Sequence, residues 1–166
     1  MRRFFVVLSI VGAVIALAAP AAFADSPHFV RASATLNADG TLDVNFKEAG
    51  LGTNQLIDYL ASADGTAVYV CVNGGNKNPS AANKETVNGP VTAAGSFSSG
   101  KNGTVSQTLT LSPPSAGDFS CPHGQSLQVA SVSYANVTIT DTTNGVSELL
   151  GDFSSGCLLP NVKGAC

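Results

Sequence analysis

Cysteine, histidine, serine and carboxylate side chains are the groups in this chain that could do chemistry. Cys71, Cys121, Cys157 and Cys166 are the whole cysteine set, and only two histidines, His28 and His123, accompany them. A zinc site would need closely spaced Cys pairs or nearby His. Only His123 lies near a cysteine, in Cys121-Pro122-His123, so the spacing is wrong for a metal centre and none is expected. An even cysteine count in an oxidising compartment reads instead as two disulfides. Three pairings are open. The favoured one joins Cys71 to Cys121 and Cys157 to Cys166, because the second pair is close in sequence and Leu158-Leu159-Pro160-Asn161 supplies a turn between its members. On the chain-entropy estimate the shorter loop contributes about 2–3 kcal/mol and the longer about 4.

Nucleophilic catalysis finds little support. The Gly-x-Ser-x-Gly string of a nucleophile elbow does not occur. Ser98-Ser99-Gly100 and Ser154-Ser155-Gly156 read as turns, and a serine nucleophile also needs a positioned base. His28 lies near the expected mature terminus. His123 sits between Pro122 and Gly124, a sequence that builds a turn. Asp39, Asp64 and Asp141 fall at expected turns, where Asp bonds locally. No Trp offers a sugar platform, and Tyr59, Tyr69 and Tyr134 fall on strands as core or face residues. Asn102-Gly103-Thr104 and Asn136-Val137-Thr138 match the glycosylation pattern only by chance. No catalytic residue, no cofactor and no metal ligand is therefore assigned, and the chain reads as a non-enzyme.

These residues belong to a chain with an address at its front. Arg2 and Arg3 precede an apolar run over 4–19, interrupted only by Ser9 and Gly12, and Pro20 ends it. Ala22-Phe23-Ala24 places small residues at a cleavage site before Asp25, which completes a secretory signal peptide. The run of 16 residues is short for a membrane span, which needs about 20. Arg2-Arg3 also fits a twin-arginine signal, but only Met1 precedes the pair, so the general secretory route is expected. Cleavage between Ala24 and Asp25 leaves a single domain over 25–166 with six basic and eleven acidic side chains, a charge of −5. That balance argues against a nucleic-acid partner. No second apolar span follows, so no membrane span is expected after cleavage.

The mature part reads as strands. Val30, Ala32, Ala34 and Leu36 alternate with polar residues, Asp39-Gly40 turns the chain, and Leu42, Val44 and Phe46 alternate again, which makes a hairpin with one apolar face. A second hairpin is expected around Asp64-Gly65, with arms at 55–62 and 66–73; helical spacing of Leu56, Ile57, Leu60 and Ala61 is the competing reading of the first arm. Residues 73–80 form a polar loop, and 81–88 fit no single element. Strands follow at 91–98 and 105–111, the latter stopped by Pro113-Pro114, and the segment 115–125 is a loop holding Cys121. Further strands run from Leu127 to Tyr134 and over 137–139, and Asn144-Gly145 turns the chain into 146–150. The pattern predicts an all-β, immunoglobulin-like β-sandwich of about 7–9 strands, disulfide-braced, with a short disulfide-closed C-terminal tail.

Several strings carry a resemblance. Tyr69-Val70-Cys71-Val72-Asn73-Gly74-Gly75, Ala81-Ala82-Asn83-Lys84, Ser120-Cys121-Pro122-His123-Gly124-Gln125, Val132-Ser133-Tyr134-Ala135-Asn136-Val137 and Asp141-Thr142-Thr143-Asn144-Gly145-Val146 resemble a group of small secreted actinobacterial proteins of unknown function. The resemblance covers most of 26–154. It implies a Cys71–Cys121 bridge and carries no activity. The ending with Cys157 and Cys166 departs from that group. Asp39-Gly40-Thr41 and Ala49-Gly50-Leu51 are more loosely similar to the neocarzinostatin-type apoproteins, which are acidic secreted sandwiches with two disulfides that carry an enediyne chromophore. That likeness is one of fold.

The expected function is a secreted, extracellular, non-catalytic β-sandwich module that binds a partner or belongs to the cell envelope. One alternative is a small-molecule carrier. Another is a secreted protease inhibitor using the loop at 113–124, braced by Cys121. The expected partner is an extracellular protein or a small-molecule ligand.

Overall fold

The computed structural model describes residues 26–73 and 80–166. The signal segment with its Ala24–Asp25 cleavage point, and residues 74–79 of the expected polar loop, lie outside them. Seven strands form two antiparallel sheets: β1 (His28–Leu36), β2 (Leu42–Ala49), β3 (Leu56–Asn73), β4 (Ala81–Ser98), β5 (Thr104–Leu111), β6 (Gln125–Asp141) and β7 (Val146–Ser154). One sheet has the order β1-β2-β5 and the other β4-β3-β6-β7. This is the disulfide-braced all-β sandwich that the alternation predicts, with no helix among the described residues.

Side-chain alternation decides what faces the core. Leu42, Val44 and Phe46 of β2 and Val105, Leu109 and Leu111 of β5 are buried against Ile57, Tyr59, Ala61 and Ala67 of β3 and Val132, Tyr134, Val137 and Ile139 of β6. The two turns carried by Asp39-Gly40 and Asn144-Gly145 form where expected. Gly40 and Gly145 take φ of 88° and 74°, a region that costs a side-chain-bearing residue steric strain. Tyr134 ties the first of these turns to the core, its hydroxyl donating to the Gly40 carbonyl at 2.7 Å. Burial pushes that hydroxyl above the usual phenol range.

The second expected hairpin does not exist. β3 runs straight through Asp64-Gly65 for 18 residues, pairing Asp64 with Pro90 and Gly65 with Gly89 on one side and with Ala135 and Tyr134 on the other. Asp64 is thus a mid-strand residue, not a turn residue. Gly65 is there for closeness: a Cβ would lie 2.8 Å from Cγ and 2.9 Å from Cδ of Pro114. The Pro114 ring cannot swing away, because its carbonyl accepts from the Tyr69 hydroxyl at 2.7 Å. Gly65→Ala is expected to cost about 1–3 kcal/mol by overpacking, read as a lower urea midpoint. A midpoint unchanged from wild type would show that the Pro114 loop yields freely.

Two further differences follow, the first of which brings the strand count to seven. The expected strands at 127–134 and 137–139 are one, β6, which passes the exposed Asn136 (φ 55°) by a register shift between Tyr134 and Val137. Residues 81–88, which fit no single element by pattern, are the first half of β4. β4 and β5 then lie in different sheets, so the 99–103 turn carries the chain across the sandwich.

Candidate functional site

β3, β4 and β6, at 18, 18 and 17 residues, outrun the three-stranded sheet, whose strands have 8 or 9. The overhang is braced on both faces. On the side continuous with the core, Cys71 is bonded to Cys121, with Cα atoms 5.4 Å apart, which ties the loop before β6 to β3. On the outer side the C-terminal tail is stitched to the sheet. Ser155 and Leu158 donate their backbone N–H to the carbonyls of Val132 and Ala130, and Ala81 donates to Lys163. Cys157–Cys166 closes the tail. Val70, Val72, Ala130 and Ala165 form a second small apolar cluster beneath it, so the tail is packed as well as tethered.

A groove of about 410 Å³ opens where the tail meets the sheet. Its floor is Thr66 and Val68 of β3 with Ser131 and Ser133 of β6. Lys84 of β4 and Ser154 of β7 line it too, and Gly156 and the Cys157–Cys166 bridge complete it from the tail. Among the described residues Lys84 is the one charged side chain in the lining; the rest is hydroxyl and small apolar surface. No family model, no curated protein and no solved structure matches the chain. The groove's own chemistry suits reversible binding: a floor of hydroxyls and one ammonium that orient a ligand, beside the small apolar surface of Val68, Val132 and Ala165.

The residues weighed from sequence as catalytic are dispersed. Ser99 is buried, its hydroxyl donating to the Gly52 carbonyl at 2.6 Å and accepting from Gln55 N at 2.9 Å. Ser155 accepts from Val132 N and donates to the Gly156 carbonyl, 2.9 and 2.8 Å. Both hydroxyls are committed to backbone. His123 is exposed in the turn closed by Gln125 N and the Pro122 carbonyl, and His28 is exposed at the start of β1, bonded to the Ser26 carbonyl. Asp39 caps its own turn through Thr41, whose hydroxyl and N–H hold that carboxyl below the usual range. The loop at 113–124 is folded at its tip into a turn, Phe119 N to the Ala116 carbonyl at 3.1 Å, and Pro114 at its base is buried. Among the described residues, no three His, Cys, Asp or Glu side chains converge as a metal site would require.

One cluster escaped the sequence reading. The inward series Leu42, Val44, Phe46 continues to Glu48, which is fully buried. The signal was present in the parity, but the apolar pattern stops at Phe46. Facing Glu48 are Tyr59 and Asp141, which pair across β3 and β6 and are also buried. Asp141 holds the β6–β7 turn, accepting from the N–H groups of Thr143 and Asn144 at 2.8 and 2.9 Å and from the Asn144 amide at 2.6 Å. Neither carboxylate oxygen of Glu48 nor the Tyr59 hydroxyl completes a hydrogen bond. They are nonetheless close enough to act on one another. Burial lifts the Glu48 carboxyl to about 7; Asp141 adds to the rise, while Tyr59 and His28 oppose it. Burial and Glu48 push the Tyr59 hydroxyl well above the phenol range. All three are sealed from solvent, so they are out of reach of a substrate in this structure.

Proposed function

We propose that the protein is a secreted, non-catalytic binding module that takes a small-molecule ligand in the groove between the four-stranded sheet and its disulfide-closed tail. The groove carries this reading: a tail without a role in binding could lie flat on the sheet, whereas this one raises a wall beside a floor of hydroxyls. In the two Ser-Ser-Gly strings the hydroxyls of Ser99 and Ser155 are occupied by backbone groups, which supports a non-catalytic role. The pairing of all four cysteines fits an oxidising compartment, and no helix among the described residues is long and apolar enough to cross a membrane. Secretion rests on the signal features at 2–24.

Mass spectrometry of native extracellular material tests the reading in one experiment. The expected species starts at Asp25, carries two disulfides and, sprayed under non-denaturing conditions, retains an added mass that Ser131→Trp removes by filling the groove. Residues 1–24 still attached would end the export claim. A ligand retained equally by Ser131→Trp would move the site elsewhere. Hydrolysis of any peptide, ester or glycoside that His123→Ala abolishes, with the fold intact, would overturn the non-catalytic reading.

A further inference from the structure

We propose that Glu48, Tyr59 and Asp141 form a proton-binding site inside the sandwich, in which Glu48 is a neutral acid that donates its proton to Asp141 and accepts one hydrogen bond from Tyr59, so that losing this proton loosens the end of the fold where β2, β3 and β6 meet. The site is independent of the groove.

Three observations converge. An ionised carboxylate closed to water and without a donor is among the costliest groups a core can hold. Glu48 is in that position: fully buried, both oxygens unpartnered. The second is the company it keeps. From β3 it meets Tyr59 and from β6 Asp141. From β5 its paired neighbour is Val105, and from β4 Phe97 packs on Phe46 and Tyr59. Among the described residues the basic side chain that acts on it is His28 of β1, which is exposed and bonded to the Ser26 carbonyl. Two carboxyls side by side without a buried cation cannot both ionise cheaply. The third is the count of donors. Asp141 already accepts three N–H bonds from its own turn, so it suits the role of acceptor. A proton on Glu48 supplies the missing donor between the two acids and leaves a carbonyl oxygen for the Tyr59 hydroxyl. One proton thus supplies the donor that the two acids lack between them, and the Tyr59 hydroxyl faces the oxygen that remains.

The sign of the pH effect follows. The folded chain keeps this proton up to about pH 7, whereas an unfolded glutamate releases it near its ordinary value of 4.5. Between those limits the folded state binds the extra proton, so stability is highest at the acid end, falls as pH rises through that window and levels off above it. The unfolding equilibrium constant of the wild type is expected to rise on the order of a hundredfold between pH 5 and pH 8 from this group.

Urea unfolding of the full chain, recorded across that range, tests the site. Glu48→Gln keeps a donor and an acceptor without a titratable proton; it is expected to lose most of the rise and to unfold less readily than wild type at pH 8. His28→Ala is expected to keep the rise. A Glu48→Gln protein with the full wild-type pH dependence, or a His28→Ala protein that loses it, would overturn the proposal. Carbon-13 NMR titration of the Glu48 carboxyl in wild type gives a readout that does not depend on the variant folding. A midpoint near 7 supports the site, and one in the ordinary carboxylate range refutes it. Millimolar calcium chloride at pH 8 is expected to leave stability unchanged. Stabilisation of wild type but not of Glu48→Gln would overturn the proton site, because a metal cation would then stand between the two acids in place of the proton.

Discussion

Replacing Cys71 and Cys121 together by Ser lowers folding stability by about 2–5 kcal/mol, the largest loss expected from any disulfide in the chain. The bond spans 50 residues, for which the chain-entropy estimate is about 4 kcal/mol. Its effect reaches beyond the unfolded chain. β3 overhangs the three-stranded sheet, and the inner face of that overhang is covered by the loop that Cys121 anchors. Freeing it exposes the fully buried Cys71 position and slackens the Pro114 loop against Gly65. Urea denaturation of the double variant checks this. A loss below about 1 kcal/mol would show that the Tyr69–Pro114 contact holds the loop without the bond. Breaking Cys157–Cys166, which spans 9 residues, is expected to cost less, about 2–3 kcal/mol, and to act on the tail and groove.

Phe46→Ala lowers stability by about 3–5 kcal/mol. Phe46 is 1% exposed and sits where both sheets bring their aromatic rings together. Its ring centroid lies 4.5 Å from that of Tyr59, 6.1 Å from Phe29 and 6.5 Å from Phe97. Its partners belong to three strands and cannot all move inward, so the space is expected to stay open in part; the cost of such a substitution depends on how far the site collapses. Chemical denaturation measures the loss. A value under about 1.5 kcal/mol would mean that the aromatic cluster repacks around the smaller side chain.

Part of this molecule could be read residue by residue. Alternation over 32–36, 42–46 and 105–111 marks inward faces because successive strand side chains point to opposite sides, a rule that involves no distant contact. Val30, expected on the apolar face of the first hairpin, is instead exposed, because the register shifts between Phe29 and Arg31 and Phe29 packs on the core in its place. The turns at Asp39-Gly40 and Asn144-Gly145 are equally local, since a glycine in a left-handed conformation and an aspartate bonded to nearby N–H groups need only a few neighbours. An even cysteine set likewise announces two bridges.

Asp64-Gly65 shows where that legibility ends. The dipeptide is as good a turn signal as the other two, yet it lies in mid-strand, because β4 and β6, distant in sequence, pair with it on both edges. Glu48 shows it again. An acid after Leu42, Val44 and Phe46 reads as the exposed end of a strand. It is buried because Tyr59 and Asp141 arrive opposite it from two other strands. The groove exists only because residues 155–166 fold back on β3, β4 and β6. Fold class, the faces of most strands and two of the turns are local properties, since they follow from backbone geometry and side-chain period within a few residues. Which Asp-Gly bends, which acid is buried and where a ligand could sit are properties of the packed molecule, since each depends on the space, pairing and charge that distant segments bring together.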